Sequence, residues 1–169
     1  MVILGIDPAI RTTGYGVLKW DAAGMTILDC GVIRNTARMP HSECLRRLAG
    51  GIRELIDLYH PDAAVLEDPF VGRNAGTAII LGMARGAIVS AIAEAGIECF
   101  AYSPRSAKRA AVGSGSAPKE QVASLLASLF GLAVETIPLD ATDAISLALC
   151  HQQMISHGTV LASALAKKI

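Results

Sequence analysis

Short apolar runs and longer stretches of helical periodicity alternate along the chain, and together they predict an α/β protein. Residues 2–7 are aliphatic and β-branched up to an acidic end, which is typical of a buried strand. Residues 13–20 and 25–34 resume a strand pattern, so the opening is predicted to be a three-stranded antiparallel meander. Residues 62–67 and 97–102 predict two more short strands.

The stretches between these strands carry helical patterns. A helix capped by Ser42 is predicted to end at Pro61, and a long apolar helix covers about residues 75–94. A strand that follows a helical crossover lies parallel to the first strand, so residues 62–67 are expected beside residues 2–7 in one sheet. Three later helices are predicted to open at prolines, the last running to about residue 154: Pro104, Pro118 and Pro138.

The apolar stretch over residues 75–93 is long enough to cross a membrane. Arg85 near its centre is unfavourable in lipid, and Gly82 and Gly86 suit close packing against protein. We therefore predict a buried helix in a soluble protein, or a helix shared with a second subunit. The chain opens directly on a strand without a basic segment, so no secretory signal and no membrane partner are expected, and the predicted location is cytoplasmic.

Size and composition narrow the class of protein. A chain of 169 residues suits one domain, expected over residues 1–155 with a short tail over residues 156–169. The formal net charge of zero gives no bulk signal for nucleic-acid binding. The four cysteines have neither C-x-x-C nor zinc-ribbon spacing, so reduced thiols are expected, without a disulfide framework or a zinc site.

Two predicted parallel strands end in carboxylates. Asp7 closes the first strand before Pro8, and Glu67 closes the second before Asp68. Ligands of such sheets bind beyond the carboxyl ends of the strands, so both acids are expected at the ligand-binding edge. A strand-end Asp can also simply cap its own turn, but two acids at matching positions are poorly explained in that way.

The last predicted helix adds a second pair of acids. Asp140 and Asp143 are three residues apart, on one helical face that continues as an apolar row. A helix cap and a favourable first-turn charge would explain one of them more easily than both. Together with Asp7 and Glu67 they would form a buried cluster of carboxylates that needs cations, and oxygen ligands suit Mg²⁺ or Mn²⁺. Two such metals support in-line phosphoryl displacement, which is nuclease chemistry.

Local charge fits an anionic substrate. Residues 103–119 contain four basic side chains and no acid, although Lys119 on its own is better explained as a solvated surface residue. The loop over residues 113–116 offers backbone N–H groups to a phosphate, or serves as a flexible linker. Phe70 follows an acidic strand end, where it could stack on bases or belong to the core. The basic residues of the segment are Arg105, Lys108, Arg109 and Lys119.

The chain resembles the RuvC-type Holliday junction resolvases of bacteria over nearly its full length. The resemblance is carried by matching segments in the expected order and spacing: residues 5–8 with 13–16, Glu67 with Phe70, Asn74, Gly82 with residues 84–86, Lys108, residues 112–113 with 115–117, Lys119, and Asp140 with residues 143–144. It implies a ribonuclease H-like fold, with a five-stranded mixed sheet of meander plus parallel strands and helices on both faces. It further implies a homodimeric, magnesium-dependent endonuclease.

The resemblance also implies roles for individual residues. The four acids Asp7, Glu67, Asp140 and Asp143 would be the catalytic ligands of two Mg²⁺ per subunit, with Mn²⁺ as a substitute. Such enzymes nick two strands of a four-way junction symmetrically, and their expected partner is the RuvA–RuvB branch-migration complex. The expected DNA contacts are Phe70, Arg73, Asn74, Arg105, Lys108, Arg109, Ser116 and Lys119.

Two departures and two rival functions stay open at this point. Relatives usually have Gly where this chain has Ala9, which would cost on the order of 1 kcal/mol if that position needs a positive φ. Asp68 adds an acid beside the expected site. A phosphotransferase of the actin and sugar-kinase type also begins with a strand and hairpin, but it needs a second lobe. A non-catalytic junction-binding protein of the same fold is disfavoured by the presence of all four acids.

Overall fold

The computed structural model describes residues 1–69, 74–156 and 167–169. Within them the chain forms one mixed sheet with the strand order β3-β2-β1-β4-β5-β6. The elements in chain order are β1 (Val2–Asp7), β2 (Thr12–Asp21), β3 (Gly24–Arg34), α1 (His41–Tyr59), β4 (Ala63–Glu67), α2 (Ala75–Glu94), β5 (Glu98–Tyr102), α3 (Pro104–Val112), α4 (Lys119–Phe130), a 3-10 turn (Val134–Thr136), α5 (Leu139–Ser156) and β6 (Lys167–Lys168).

The sheet joins an antiparallel half to a parallel half, as predicted. Strands β1, β2 and β3 form the meander, and β4 and β5 run parallel to β1. A sixth strand differs from the prediction of five, because β6 pairs antiparallel with Phe100 and Ala101 of β5. This strand has only two residues, Lys167 and Lys168. Both are lysines, so the sequence has no alternation of apolar and polar positions there that would predict a strand.

Helices cover both faces of the sheet, which confirms the predicted layers. Helices α1 and α2 enclose one core, in which Leu48, Ile52 and Ile88 are fully buried. Helices α3, α4 and α5 enclose the other core, in which Leu126 and Ile145 are fully buried. Both cores share the central strands β1 and β4, so the ends of these two strands are held rigidly from both sides.

Helix α5 lies directly on β1 and β2 because three strand positions carry no side chain. A Cβ atom on Gly14 would overlap the backbone oxygen of Asp140, and one on Gly5 would overlap that of Ala144. A Cβ on Gly16 would lie 2.6 Å from the side chain of Ile145. The glycines therefore set the depth of α5, and with it the height of its first turn above the end of β1.

Helix α2 corrects the prediction of a buried helix. Its buried residues are Ala84, Ile88, Ala91 and Ile92, whereas the side chains of Ile79 and Met83 are 64% and 40% exposed. Among the described residues it is the one helix long and apolar enough to cross a membrane. Of its most apolar 18-residue stretch, 22% is buried. The helix is apolar on every side, so its sequence does not reveal which side the protein covers.

The start of α1 is a second correction. The helix begins at His41, with Pro40 in the capping position and no side-chain cap, whereas Ser42 was predicted to cap it. All four cysteines are free, as expected; Cys44, Cys99 and Cys150 are buried and Cys30 is partly exposed.

Candidate active site

Four acidic residues lie near the carboxyl edge of the parallel strands. Asp7 is the last residue of β1 and Glu67 the last of β4, and the preceding residues Ile6 and Leu66 are paired across these neighbouring strands. Asp140 and Asp143 belong to the first turns of α5, which the glycines of β1 and β2 hold over the same edge. The structure thus brings together the four acids on which the sequence analysis centred.

The electrostatics of Asp7 and Glu67 show how closely the acids are grouped. Burial raises the pKa of Asp7 to about 6, and the charges of Asp143 and Asp140 add to the rise against the lowering effect of Lys119. Burial raises the pKa of Glu67 to about 7, with further contributions from Asp7 and Asp143. The protein itself therefore resists full ionisation of this cluster, and a bound cation would relieve the repulsion.

Lys119 lies inside the acidic cluster. Its Nζ is 2.7 Å from Oδ2 of Asp143, whose side chain is 12% exposed. Burial lowers the pKa of Lys119, but the hydrogen bond and charge of Asp143, together with Asp7 and Asp140, outweigh burial, so the net pKa is raised. This ion pair explains why a cation is stable in the first turn of α4, where the helix dipole alone disfavours it.

The oxygen donors fit a hard divalent cation in an open site. Across the described ranges, no three His, Cys, Asp or Glu side chains lie close enough together to hold a metal ion between them. A cavity of about 80 Å³ beside Asp7 and Glu67 is lined also by Asp68, Leu81 and Arg85. Mg²⁺ is commonly held by one or two carboxylates together with water and substrate phosphates, so an incomplete protein ligand set suits this ion.

The turn after β1 is closed by Thr13. Its Oγ1 donates a hydrogen bond to the carbonyl of Ala9 at 2.6 Å and accepts one from the backbone N–H of Ala9 at 3.1 Å. In the described part of the chain, His60 is the one residue other than glycine with a positive φ, so Ala9 adopts an ordinary backbone conformation. The condition under which Ala9 would be strained, a positive φ, is therefore not met.

Arg85 is a residue of this site whose place the sequence did not indicate. It comes from α2, and its Nη1 donates a hydrogen bond to the backbone carbonyl of Glu67. In the sequence, Arg85 mainly indicates that this helix does not cross a membrane. A charged side chain in the middle of an otherwise apolar helix was the available signal for such a contact.

The predicted DNA-contact residues occupy different settings. Arg105 and Arg109 are exposed on α3 and line a polar cavity of about 580 Å³ with the loop over residues 113–116, including the exposed Ser116. Lys108 is half-buried and lowers the pKa of Glu67, against the dominant effect of burial, so it lies near the acids.

Of the three remaining predicted contacts, the structure describes Asn74 alone. Asn74 caps this helix, because its side chain accepts a hydrogen bond from the backbone N–H of Thr77 at 3.2 Å. Phe70 and Arg73 lie outside the described residues.

Sequence comparisons give one consistent match. The protein family described as crossover junction endodeoxyribonuclease RuvC matches residues 3–151 of this chain. A crossover junction endodeoxyribonuclease RuvC of Chlorobaculum parvum is 43% identical over 150 residues, which cover 89% of this chain and 80% of that protein. One of Chloroflexus aurantiacus is 39% identical over 151 residues, which cover 89% of this chain and 92% of that protein.

Solved structures agree with the sequence matches. The chain is similar to Thermus thermophilus RuvC in complex with a Holliday junction substrate, with a TM-score of 0.85, 29% sequence identity and full coverage of both chains. It shares its fold with the yeast mitochondrial Holliday junction resolvase, with a TM-score of 0.64 and 14% identity over 96% of this chain and 85% of the other.

Proposed function

This chain belongs to the RuvC family of crossover junction endodeoxyribonucleases, and on that premise we propose that it resolves four-way DNA junctions by metal-dependent hydrolysis. The reaction would nick two strands symmetrically and leave 5′-phosphate and 3′-hydroxyl ends. The observation that carries the proposal is the meeting of Asp7, Glu67, Asp140 and Asp143 at one sheet edge.

The partly buried carboxylates supply the negative charge that the reaction requires. Asp7 and Glu67 would hold the cations from the strand ends, and Asp140 and Asp143 from α5; Asp7 responds to the charges of both helix acids, which supports a central position for it. When bound, divalent cations supply Lewis acidity and a water nucleophile of lowered pKa, and two per subunit are proposed.

Basic side chains around the acids would orient the phosphate. Lys119 is already an ion-pair partner of Asp143, and Lys108 lies near Glu67. Either ammonium group would stabilise the added negative charge of a phosphate at the transition state. Arg105 and Arg109 extend this positive surface along α3 and would bind the DNA backbone away from the scissile bond.

A homodimer is supported by the apolar face of α2 that the protein leaves exposed. Ile79 and Met83 are exposed on it, next to Gly82 and Gly86, at which an added Cβ would meet no other atom within 4 Å. Two subunits would bring two sets of acids to one junction, as paired nicking requires. A cytoplasmic location and an association with the RuvA–RuvB complex are further proposals that follow from family membership.

The test is incubation of the purified protein with a labelled mobile four-way junction and with a linear duplex of equal length. Each substrate is incubated with Mg²⁺, with Mn²⁺ and with a chelator, and the products are mapped on a denaturing gel. We expect paired symmetric nicks in the junction only, and only with metal. Asp7→Asn should bind the junction in chelator and cut nothing.

Other results would contradict parts of this proposal. Binding of the junction without nicks under every condition would favour a non-catalytic junction-binding protein. Equal cutting of the duplex and the junction would support the metal site and overturn the selectivity. Wild-type cleavage by Asp7→Asn would overturn the assignment of the acids.

A further inference from the structure

The backbone of Glu67 is held from two directions just where β4 ends. Its carbonyl accepts the hydrogen bond from Nη1 of Arg85, and the next N–H, of Asp68, donates to the carbonyl of Tyr102 at 2.8 Å. The pairing of β4 with β1 extends to Leu66 and stops there. The side of Glu67 that faces β1 therefore has no strand ladder to fix it, and Arg85 supplies a bond to this peptide group.

The positive charge of Arg85 also interacts with acidic residues at the end of β4. The guanidinium group is half-buried and interacts electrostatically with Asp68 and Glu67. A buried cation is stable only where acceptors and opposite charge surround it, and both lie at this strand end. Arg85 thus balances Asp68, the acid that the sequence analysis marked as an addition to the site.

Arg85 comes from a helix that is only partly held by its own subunit. Ala84 and Ile88, its neighbours on α2, are buried against the sheet, while Ile79 and Met83 are exposed. A shift of α2 would be transmitted to the carbonyl of Glu67 through one side chain. The helix that carries the exposed apolar face is therefore also linked to a candidate metal ligand.

We propose that Arg85 is a positioning residue that fixes Glu67 for metal binding, so that the seating of α2 determines the geometry of the carboxylate cluster. The inference rests on the proposed function, because Glu67 is there assigned as a metal ligand. In this role Arg85 contacts neither the metal nor the DNA and acts through Glu67.

The test measures Mn²⁺ binding to the purified full chain by calorimetry, in parallel with junction cleavage. Arg85→Met keeps the aliphatic stem and removes the hydrogen bond, and we expect Mn²⁺ affinity to fall by about tenfold, as is typical when a residue that supports a metal ligand is lost. Junction binding in chelator should be unchanged. Arg85→Lys keeps one donor and the charge and should restore part of the lost affinity.

Arg53→Met is the matched control. Arg53 also reaches α2 from another element, because its Nη2 lies 2.8 Å from Oε2 of Glu94 at the end of that helix. This ion pair is exposed on both sides and contributes little to the seating of α2, so the variant should keep wild-type Mn²⁺ affinity. Thermal unfolding of all variants establishes that each is folded at the temperature of the binding measurement.

The outcomes separate this inference from the proposed function. Wild-type Mn²⁺ affinity in Arg85→Met would overturn the inference, and so would an equal loss of affinity in Arg53→Met. A wild-type protein that binds Mn²⁺ but does not cut junctions would remove the proposed function while leaving the role of Arg85 in metal binding intact. A wild-type protein that binds no Mn²⁺ either alone or with junction DNA would overturn both.

Discussion

Asp7 is partly buried and has negative neighbours, and its ionisation therefore lowers the stability of the folded protein. Its pKa is raised to about 6, so the folded protein binds a proton at Asp7 more tightly than the unfolded chain does. The free energy of unfolding contributed by Asp7 is therefore largest at low pH and is lost as pH rises from about 4 through about 6. A cation bound to the ionised carboxylates would restore it.

Asp7→Asn should reveal this cost. In chelator the variant should melt at a higher temperature than the wild type, and its advantage should grow between about pH 4 and about pH 6 and then stay constant. Mg²⁺ at about pH 8 should reverse the order, because only the wild type keeps the carboxylate that favours the metal. A differential scanning series with and without Mg²⁺ makes the measurement. An Asn variant less stable than the wild type in chelator at neutral pH would contradict the raised pKa.

At the scale of elements, the depth of α5 depends on bare strand positions. The first turn of this helix carries Asp140, and a Cβ on Gly14 would collide with the backbone of that residue. Backbone cannot rotate aside as a side chain can, so the helix itself would have to move.

Gly14→Ala should therefore destabilise the protein by about 1–3 kcal/mol and abolish metal-dependent cleavage, since α5 would carry Asp140 and Asp143 away from Asp7. Gly50→Ala is the control, because a Cβ there meets no atom within 4 Å in the middle of α1. This second variant should be more stable than the wild type by up to about 1 kcal/mol and fully active. Chemical denaturation and the junction assay measure both. A stable and active Gly14→Ala would contradict the packing argument.

The strands and helices also differ in how well the sequence predicts them. Strands such as β1 and β4 are predicted well because their apolar runs are short and end at acids or proline. The covered face of α2 is not predicted, because a helix that is apolar on all sides has no preferred direction. The strand β6 pairs through its backbone and leaves no local pattern. Arg85 stands out as a charge in an apolar helix, but the sequence does not show that it reaches the end of β4. Long-range contacts of this kind are fixed only when the chain folds.

At the scale of the whole molecule, a net charge of zero conceals an uneven distribution. The exposed Arg105 and Arg109 share a cavity with the loop over residues 113–116, in a segment without acids. DNA affinity should therefore depend on this local surface more than on bulk charge.

The double variant Arg105→Ala with Arg109→Ala should weaken junction binding at every sequence tested and reduce the slope of log affinity against log salt by about 2. Arg46→Ala serves as a control, because Arg46 lies on α1 and is paired with Glu43 at 2.6 Å. This variant should leave the slope unchanged. Binding titrations in chelator over a range of salt concentrations measure the slopes. Equal slopes for the wild type and the double variant would exclude these arginines from the DNA interface.

The exposed face of α2 predicts the oligomeric state. Ile79→Glu should convert the proposed dimer to a monomer, because a carboxylate at this position cannot be buried against a second copy of the helix. The variant should keep Mn²⁺ binding and lose paired nicking. Leu129→Glu changes a similarly exposed residue of α4, 60% accessible, and should remain dimeric. Sedimentation measures the oligomeric state of both variants. A dimeric Ile79→Glu would show that the exposed face of α2 is not the dimer interface.

The ion pair between Lys119 and Asp143 would couple the binding of metal to the binding of DNA. While Lys119 neutralises Asp143, it competes with a cation for that carboxylate; when a DNA phosphate attracts Lys119, the carboxylate becomes available. Junction DNA should then raise the affinity for metal, and by thermodynamic reciprocity metal should raise the affinity for the junction by the same factor. Such positive cooperativity would keep the nuclease poorly loaded with metal until its substrate is bound, and Lys119→Met should abolish the coupling.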